Sequence, residues 1–223
     1  KKRPLIFILE NVKGLTTMEN GEYLQAILSQ LKAIGNGEYI IHHSLLNTRD
    51  HGLPQNRERW YCVGIHLTCN VSDFVFPEAL NTVPLLSSFL DKSLPSETIP
   101  DSSKMVKNNI KKACRRIRSK GRDPDKECFA ISADMSPDRS NFMFEMCPCI
   151  TCVQSKGHWI TSLGRRLSVR EMMMLQGMNP DKVKKCSTLS ENQFKKQIGN
   201  AMSVNVLERL FINIFHSTQV IKA

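Results

Sequence analysis

The sequence predicts an α/β fold, and four stretches in its first third predict it. Leu5-Ile6-Phe7-Ile8-Leu9 is a continuous apolar run, which reads as a buried strand of the parallel type. From Tyr23 to Ile34 apolar residues recur at Leu24, Ile27, Leu28 and Leu31, the spacing of one helix face, and Gly35 and Gly37 close that helix. Tyr39-Ile40-Ile41 begins a second strand and Trp60 to Ile65 forms a third. Strand, helix, strand builds a layered sheet, and such sheets gather ligands at the carboxyl ends of their strands.

The totals agree with a packed protein. The chain has 223 residues, 41% hydrophobic and 23% charged, enough to bury a core without disulfide staples. Its net charge is +10 and its pI about 9.3, which favours a polyanionic partner, most simply nucleic acid. Of eight cysteines, only Cys147, Cys149 and Cys152 cluster, and no second pair follows at zinc-ribbon spacing. Reduced thiols and no metal site are expected. No apolar run approaches the roughly 20 residues of a membrane span, so no membrane partner is expected. The chain opens on Lys1-Lys2-Arg3 and runs directly into a strand, which reads as a cut end.

After the third strand the character changes. From about Val71 to Pro100 the chain is rich in Pro and Ser and reads as a loop-rich transition. Lys104 to Arg122 holds nine Lys or Arg and no acid, with Val106, Ile110 and Ile117 near helical spacing, which predicts a basic amphipathic helix. Residues 127–162 read as short strands and turns. A helical pattern returns after Leu163, through Val169 to Leu175, and a last apolar helix runs from Val204 to Phe215. Met172-Met173-Met174 reads as core packing.

Two stretches carry chemistry. Glu10-Asn11-Val12 directly follows the first strand, where an α/β sheet presents its ligands, and a desolvated carboxyl there can hold a proton and donate it to a ring nitrogen. The simpler alternative is a strand-end Glu in solvent. Gln55-Asn56-Arg57-Glu58-Arg59 follows His51-Gly52-Leu53-Pro54 and leads into the third strand. Arginines at i and i+2 of an extended segment share one face and offer forked donors to a phosphate or a base carbonyl. The simpler alternative is an exposed ion-pair turn.

These two stretches resemble the ENV and QxRxR motifs of the DNA (cytosine-5) methyltransferase family. Two more agree in the family's order. Arg166-Leu167-Ser168-Val169-Arg170-Glu171 through Leu175-Gln176-Gly177 is similar to the motif that supports the recognition domain, and Gln197-Ile198-Gly199-Asn200-Ala201-Met202-Ser203-Val204 to the closing GN motif. The resemblance implies part of a Rossmann-like S-adenosylmethionine-dependent sheet carrying a small, mostly β target recognition domain. It implies that Glu10 contacts N3 of a flipped cytosine and Arg59 its O2, with Arg57 supporting that loop or the DNA backbone. It also implies that Asn200 and the backbone near Ala201 border the S-adenosylmethionine pocket. A thiolate adds to C6 of the base, and C5 then takes the methyl group.

Further expectations follow. The family's glycine-rich cofactor loop and Pro-Cys nucleophile loop precede the ENV motif, and none of the nine residues before Glu10 fits either. The expected partners are therefore duplex DNA and an N-terminal portion, or separate subunit, that carries the Pro-Cys loop; this chain alone is expected to be inactive. Pro148-Cys149 is set aside as nucleophile, because it follows the arginine motif and resembles a Cys-Pro-Thr stretch of the recognition region. The expected divisions are 1–73 and 191–223 for the catalytic domain, 74–162 for the recognition domain, and 163–190 for its supporting motif. Arg115, Arg116, Arg118 and Lys156 are expected on DNA, the basic run on phosphates. Gln154, Ser155, Lys156 and His158 are candidates to read base edges. A non-catalytic DNA-binding or regulatory subunit and a tRNA cytosine-5 methyltransferase are the alternatives. The expected location is intracellular, the nucleus in a eukaryote or the cytoplasm and nucleoid in a bacterium.

Overall fold

The computed structural model describes residues 2–99 and 103–218. Lys1, Pro100 at the end of the loop-rich stretch, and residues 219–223 of the expected last segment lie outside the described residues. The chain forms two compact units. Unit 1 holds Lys1–His51, Glu58–Asn81 and Asn205–Ala223; unit 2 holds Gly52–Arg57 and Thr82–Val204.

Among the described residues, unit 1 contains strands β1 (Ile6–Val12), β2 (Tyr39–Asn47) and β4 (Glu58–His66) and helices α1 (Glu22–Ala33) and α5 (Val204–Ser217). The sheet order is β1-β4-β2, with β4 antiparallel to both neighbours. Strand β4 is buried from Trp60 to Ile65, and its alternation feeds two cores. Trp60 and Cys62 pack with Leu15, Leu24 and Leu28 on the α1 side. Tyr61, Val63 and Ile65 pack with Val206, Leu210 and Ile214 of α5. Each such aliphatic side chain contributes roughly 1.5–3 kcal/mol on burial. Gly64 stands opposite Phe7, whose ring fills the space a Cβ would need.

The apolar run at the start of the chain behaves differently from its expectation. β1 pairs antiparallel with β4, and none of its seven residues is fully buried. Ile6 and Ile8 join the α5-side core and Phe7 the α1-side core, so the middle of the run is apolar because it packs on both faces, while Leu5 and Leu9 at its ends are exposed. Among the described residues its single strand neighbour is β4.

Unit 2 contains β3 (Gln55–Asn56), α2 (Lys104–Arg118), β5 (Phe129–Ile131), β6 (Phe142–Phe144), β7 (Cys147–Pro148), β8 (Trp159–Ile160), β9 (Arg165–Arg166), α3 (Val169–Leu175) and α4 (Glu191–Asn200). Its larger sheet, in the order β6-β5-β8-β9, is antiparallel, and β3 pairs parallel with β7. The division differs from the expected boundaries at three places. Residues 74–81, expected in the recognition domain, belong to unit 1, where Phe74 and Phe76 pack with Val206 and Leu210. Gly52–Arg57 belongs to unit 2 because β3 is stitched to β7, and α4 belongs there because Ile198 and Phe194 pack with Ile150, Leu167 and Met172. Met172 and Met173 are in that core, at 0% and 3% exposure.

Helices α3 and α4 start on capping boxes, Ser168 with Glu171 and Ser190 with Gln193. Glu171 also anchors a buried ion pair: Arg165 donates to its two carboxylate oxygens at 2.7 and 2.9 Å and to the Asp91 carbonyl at 2.6 Å. Burial pushes the Glu171 carboxyl up, but the bonds from Arg165 and from the Ser168 and Asp91 amides outweigh it and hold the carboxyl below its usual range.

Candidate active site

The ladder between β1 and β4 brings the first two chemical residues together. Glu10 stands opposite Tyr61 and Val12 opposite Arg59, so Glu10 and Arg59 are diagonal neighbours on one face of the pair. Arg59 Nε lies 3.0 Å from Glu10 Oε1, and Arg59 Nη1 donates to the Glu58 carbonyl at 2.8 Å. The side chains are 13% and 15% exposed: sheltered, yet open to a ligand. The solvent-exposed alternative for Glu10 is thereby excluded.

The surroundings hold this pair in place. After β1 the chain makes a 3-10 turn, Lys13–Thr16, pinned by buried Leu15. Lys13 Nζ donates to Glu58 Oε2 at 2.9 Å, tying the segment after Glu10 to the residue before Arg59. Below the end of β2, His51 is buried, with its Nδ1 2.8 Å from Arg209 Nη1, while Asn205 Nδ2 donates to the His51 carbonyl at 2.6 Å. Burial and the Arg209 charge lower the His51 pKa, so the ring accepts from the guanidinium at neutral pH.

Arg57 has another task. It is 2% exposed, and it belongs to unit 2. Its Nη1 donates to the Ile150 carbonyl at 2.8 Å and the Gly199 carbonyl at 3.3 Å; its Nη2 donates to the Ala201 carbonyl at 2.8 Å. The forked donors therefore serve protein carbonyls and not a phosphate. Asn200 and Ala201 stand where α4 ends, Asn200 exposed and Ala201 half-buried. Two residues that the sequence reading did not single out complete this hub. Gln55 Nε2 donates to the Leu175 carbonyl at 2.7 Å while its Oε1 accepts from the Ile150 amide at 3.0 Å. Gln176 Nε2 donates to the Ile198 carbonyl at 2.7 Å. The available signal was Gln55 and Arg57 at i and i+2 of one extended segment, which puts both on one face.

The cysteines are poor nucleophiles where they are most buried. Burial pushes Cys62 up to about 11 and Cys128 up to about 12, and raises Cys147 well above its ordinary value. Cys149 Sγ lies 3.6 Å from Arg57 Nη1, inside the hub.

The residues expected on DNA are spread over unit 2. Arg115 is exposed on α2, Arg116 lies over the Phe142 ring at 5.3 Å, and Arg118 pairs with Asp125 at 2.7 Å. Of the four base-edge candidates, Gln154, Ser155 and His158 are buried, at 8%, 6% and 2%, and only Lys156 stays exposed. Burial pushes the His158 pKa down to about 4, and its Nε2 lies 3.3 Å from the Cys149 carbonyl. Polar letters after the Cys-Pro stretch gave no sign of this, because the partners lie elsewhere in the chain: Ser155 Oγ donates to Asn192 Oδ1 on α4 at 2.9 Å. No described helix is long and apolar enough to cross a membrane.

Comparisons with known proteins identify the family. The chain is 30% identical over 217 residues to the type II methyltransferase M.HaeII of Haemophilus aegyptius, covering 97% of this chain and 62% of that protein. It is 32% identical over 213 residues to the type II methyltransferase M.NgoBI of Neisseria gonorrhoeae, covering 93% and 60%. The chain thus spans about 60% of the length of these relatives. Its fold matches the Entamoeba histolytica methyltransferase EhMeth with a TM-score of 0.59 at 17% identity, over 96% of this chain and 63% of that one. The family model for C-5 cytosine-specific DNA methylase matches residues 1–216, and the chain belongs to that family.

Proposed function

We propose that this chain supplies the base-polarising part of a DNA (cytosine-5) methyltransferase. The observation that carries the reading is the Glu10–Arg59 pair, 3.0 Å apart and sheltered on the β1–β4 ladder. Attack at C6 of cytosine needs electron density drawn toward N3 and O2. In this reading Glu10 holds N3, Arg59 donates to O2, and their mutual contact fixes both before the base arrives. Lys13 and Glu58 position the two segments. Arg57 acts as a positioning residue that fixes the backbone at Gly199 and Ala201. The target base leaves the duplex to reach the pair.

S-adenosylmethionine is the methyl donor in this reading, and when bound it supplies the electrophilic methyl group. The residues at the end of α4 fit one edge of it: Asn200 carries an exposed amide, and Arg57 holds the turn through the Gly199 and Ala201 carbonyls. In this reading the thiolate comes from a Pro-Cys segment other than Pro148-Cys149, because Cys149 Sγ sits in the hub, 3.6 Å from Arg57 Nη1. Such an enzyme works where DNA is, inside the cell, in the nucleus or nucleoid according to the organism.

The test places a Pro-Cys-bearing segment before this chain and offers radiolabelled S-adenosylmethionine with duplex DNA or with transfer RNA. The expected result is 5-methylcytosine in duplex DNA, with Glu10→Gln slower by about 10²-fold or more. Label in transfer RNA alone selects the RNA reading. Equal rates for Glu10→Gln and the parent sink the assigned role.

A further inference from the structure

We propose that α2 is a phosphate-tracking strut, which binds the backbone of duplex DNA without regard to sequence and does so through Lys104, Lys111 and Arg115. The inference rests on the DNA reading above, and it assigns a surface that the catalytic pair does not use.

Three features of the helix carry it. The first is geometry. Val106, Asn109, Ala113 and Ile117 are buried on one side, against Ile131, Ala133 and Trp159 of the sheet. At 100° per residue, Lys104, Lys111 and Arg115 fall on the opposite side and are exposed. From Lys104 to Arg115 the row runs about 16 Å at 1.5 Å per residue. Arg118 extends the row, but Asp125 already occupies it at 2.7 Å. Arg116 lies off the row, over Phe142.

The second is rigidity. Asn109 is 3% exposed, and its amide donates to the Ala133 carbonyl at 2.9 Å and the Met135 carbonyl at 2.8 Å. One side chain thus pins the helix to the loop after β5, so the cations are presented at fixed spacing. A helix that only needed solvation would not need that clamp.

The third is the single sign of charge carried by the helix itself. The helix KMVKNNIKKACRRIR has no acid. Lys107 and Lys111, Lys111 and Arg115, and Lys112 and Arg116 are like-charged i, i+4 neighbours, each of which weakens a helix. Solvated faces mix both signs, which removes that repulsion. A polyanion removes it too, and releases counterions in doing so. The α2 row also differs from the cations around it: Arg122 is held by Glu127 and stacks on Phe144 at 3.5 Å, so it serves the fold of unit 2.

The experiment compares the full chain with Lys104→Gln/Lys111→Gln/Arg115→Gln, measuring Kd for a random-sequence duplex across a salt series. It needs no methyl transfer, so it fails or succeeds separately from the catalytic reading. A second triple, Lys182→Gln/Lys184→Gln/Lys196→Gln, makes the same change of net charge at other exposed positions. Each lost phosphate contact lowers the slope of log K against log salt by about 0.9. The expected result is a slope smaller by about 2 to 3 for the α2 triple, weaker binding by at least about tenfold at low salt whatever the DNA sequence, and an unchanged slope for the control. An unchanged slope for the α2 triple, with its helix content intact by circular dichroism, overturns the proposal. Equal changes in both triples also overturn it, because net charge and not α2 would then be responsible. A sequence-dependent loss overturns it as well, since it would place α2 on base edges.

Discussion

Two arginines two residues apart do unlike work, and burial decides which. Arg59 is the second residue of β4, and its guanidinium meets Glu10 at 3.0 Å on a partly open face. Arg57 is shut inside unit 2 with three carbonyls on its fork. Replacing Arg57 by Lys keeps the charge and loses the fork, because an ammonium is a single point of donation. At least two of the Ile150, Gly199 and Ala201 carbonyls then lose a charge-assisted donor, at about 1.5–3 kcal/mol each. We expect Arg57→Lys to destabilise the chain by about 3 kcal/mol, read from the midpoint of urea unfolding at constant slope. A change below about 0.5 kcal/mol, the range of an ordinary surface substitution, contradicts the hub. The sequence made both arginines visible, but it did not separate them. Their spacing said only that they share a face; what Arg57 meets depends on residues 92 to 144 positions away in the chain, and what Arg59 meets depends on Glu10 of another strand.

Among the elements, helix α4 shows how closely unit 2 is assembled. A Cβ on Gly199 would press into the Thr151 carbonyl carbon and lie 2.6 Å from the Cys152 amide nitrogen, both backbone atoms that cannot rotate away. Gly199→Ala therefore sets a packing cost of roughly 1–3 kcal/mol against the roughly 1 kcal/mol that Ala gains in a helix. The expected outcome is a net loss of stability and a lower Tm, with the largest chemical-shift changes at Thr151 and Cys152. A rise in Tm would mean the two segments do not touch. Several elements were legible from periodicity alone. The helical spacing of Leu24, Ile27, Leu28 and Leu31 corresponds to α1, and the Lys104–Arg122 run to α2. β1 was legible as a strand, but not its antiparallel pairing, because an apolar run reports covered faces and says nothing of a neighbour's direction. The two-residue strands β3, β7, β8 and β9 fall below any periodic signal, since they exist through pairing.

At the scale of the whole molecule, the chain combines a sheet unit that carries Glu10 and Arg59 with a second unit that carries the Arg57 hub, Asn200 and the cationic row of α2. The four family motifs were readable because each is a short run in fixed order. The burial of Gln154, Ser155 and His158 was not, because polar residues turned inward look the same in sequence as polar residues turned out. The central claim is that this chain polarises the cytosine while a thiolate from elsewhere attacks it. Covalent trapping on duplex DNA containing 5-fluorocytosine, with S-adenosylmethionine added, tests that claim most directly. The account predicts no adduct from the chain alone and an adduct when a Pro-Cys-bearing segment is supplied, formed equally well by Cys149→Ser. An adduct from the chain alone that disappears in Cys149→Ser would contradict it, and would place the nucleophile in the hub beside Arg57.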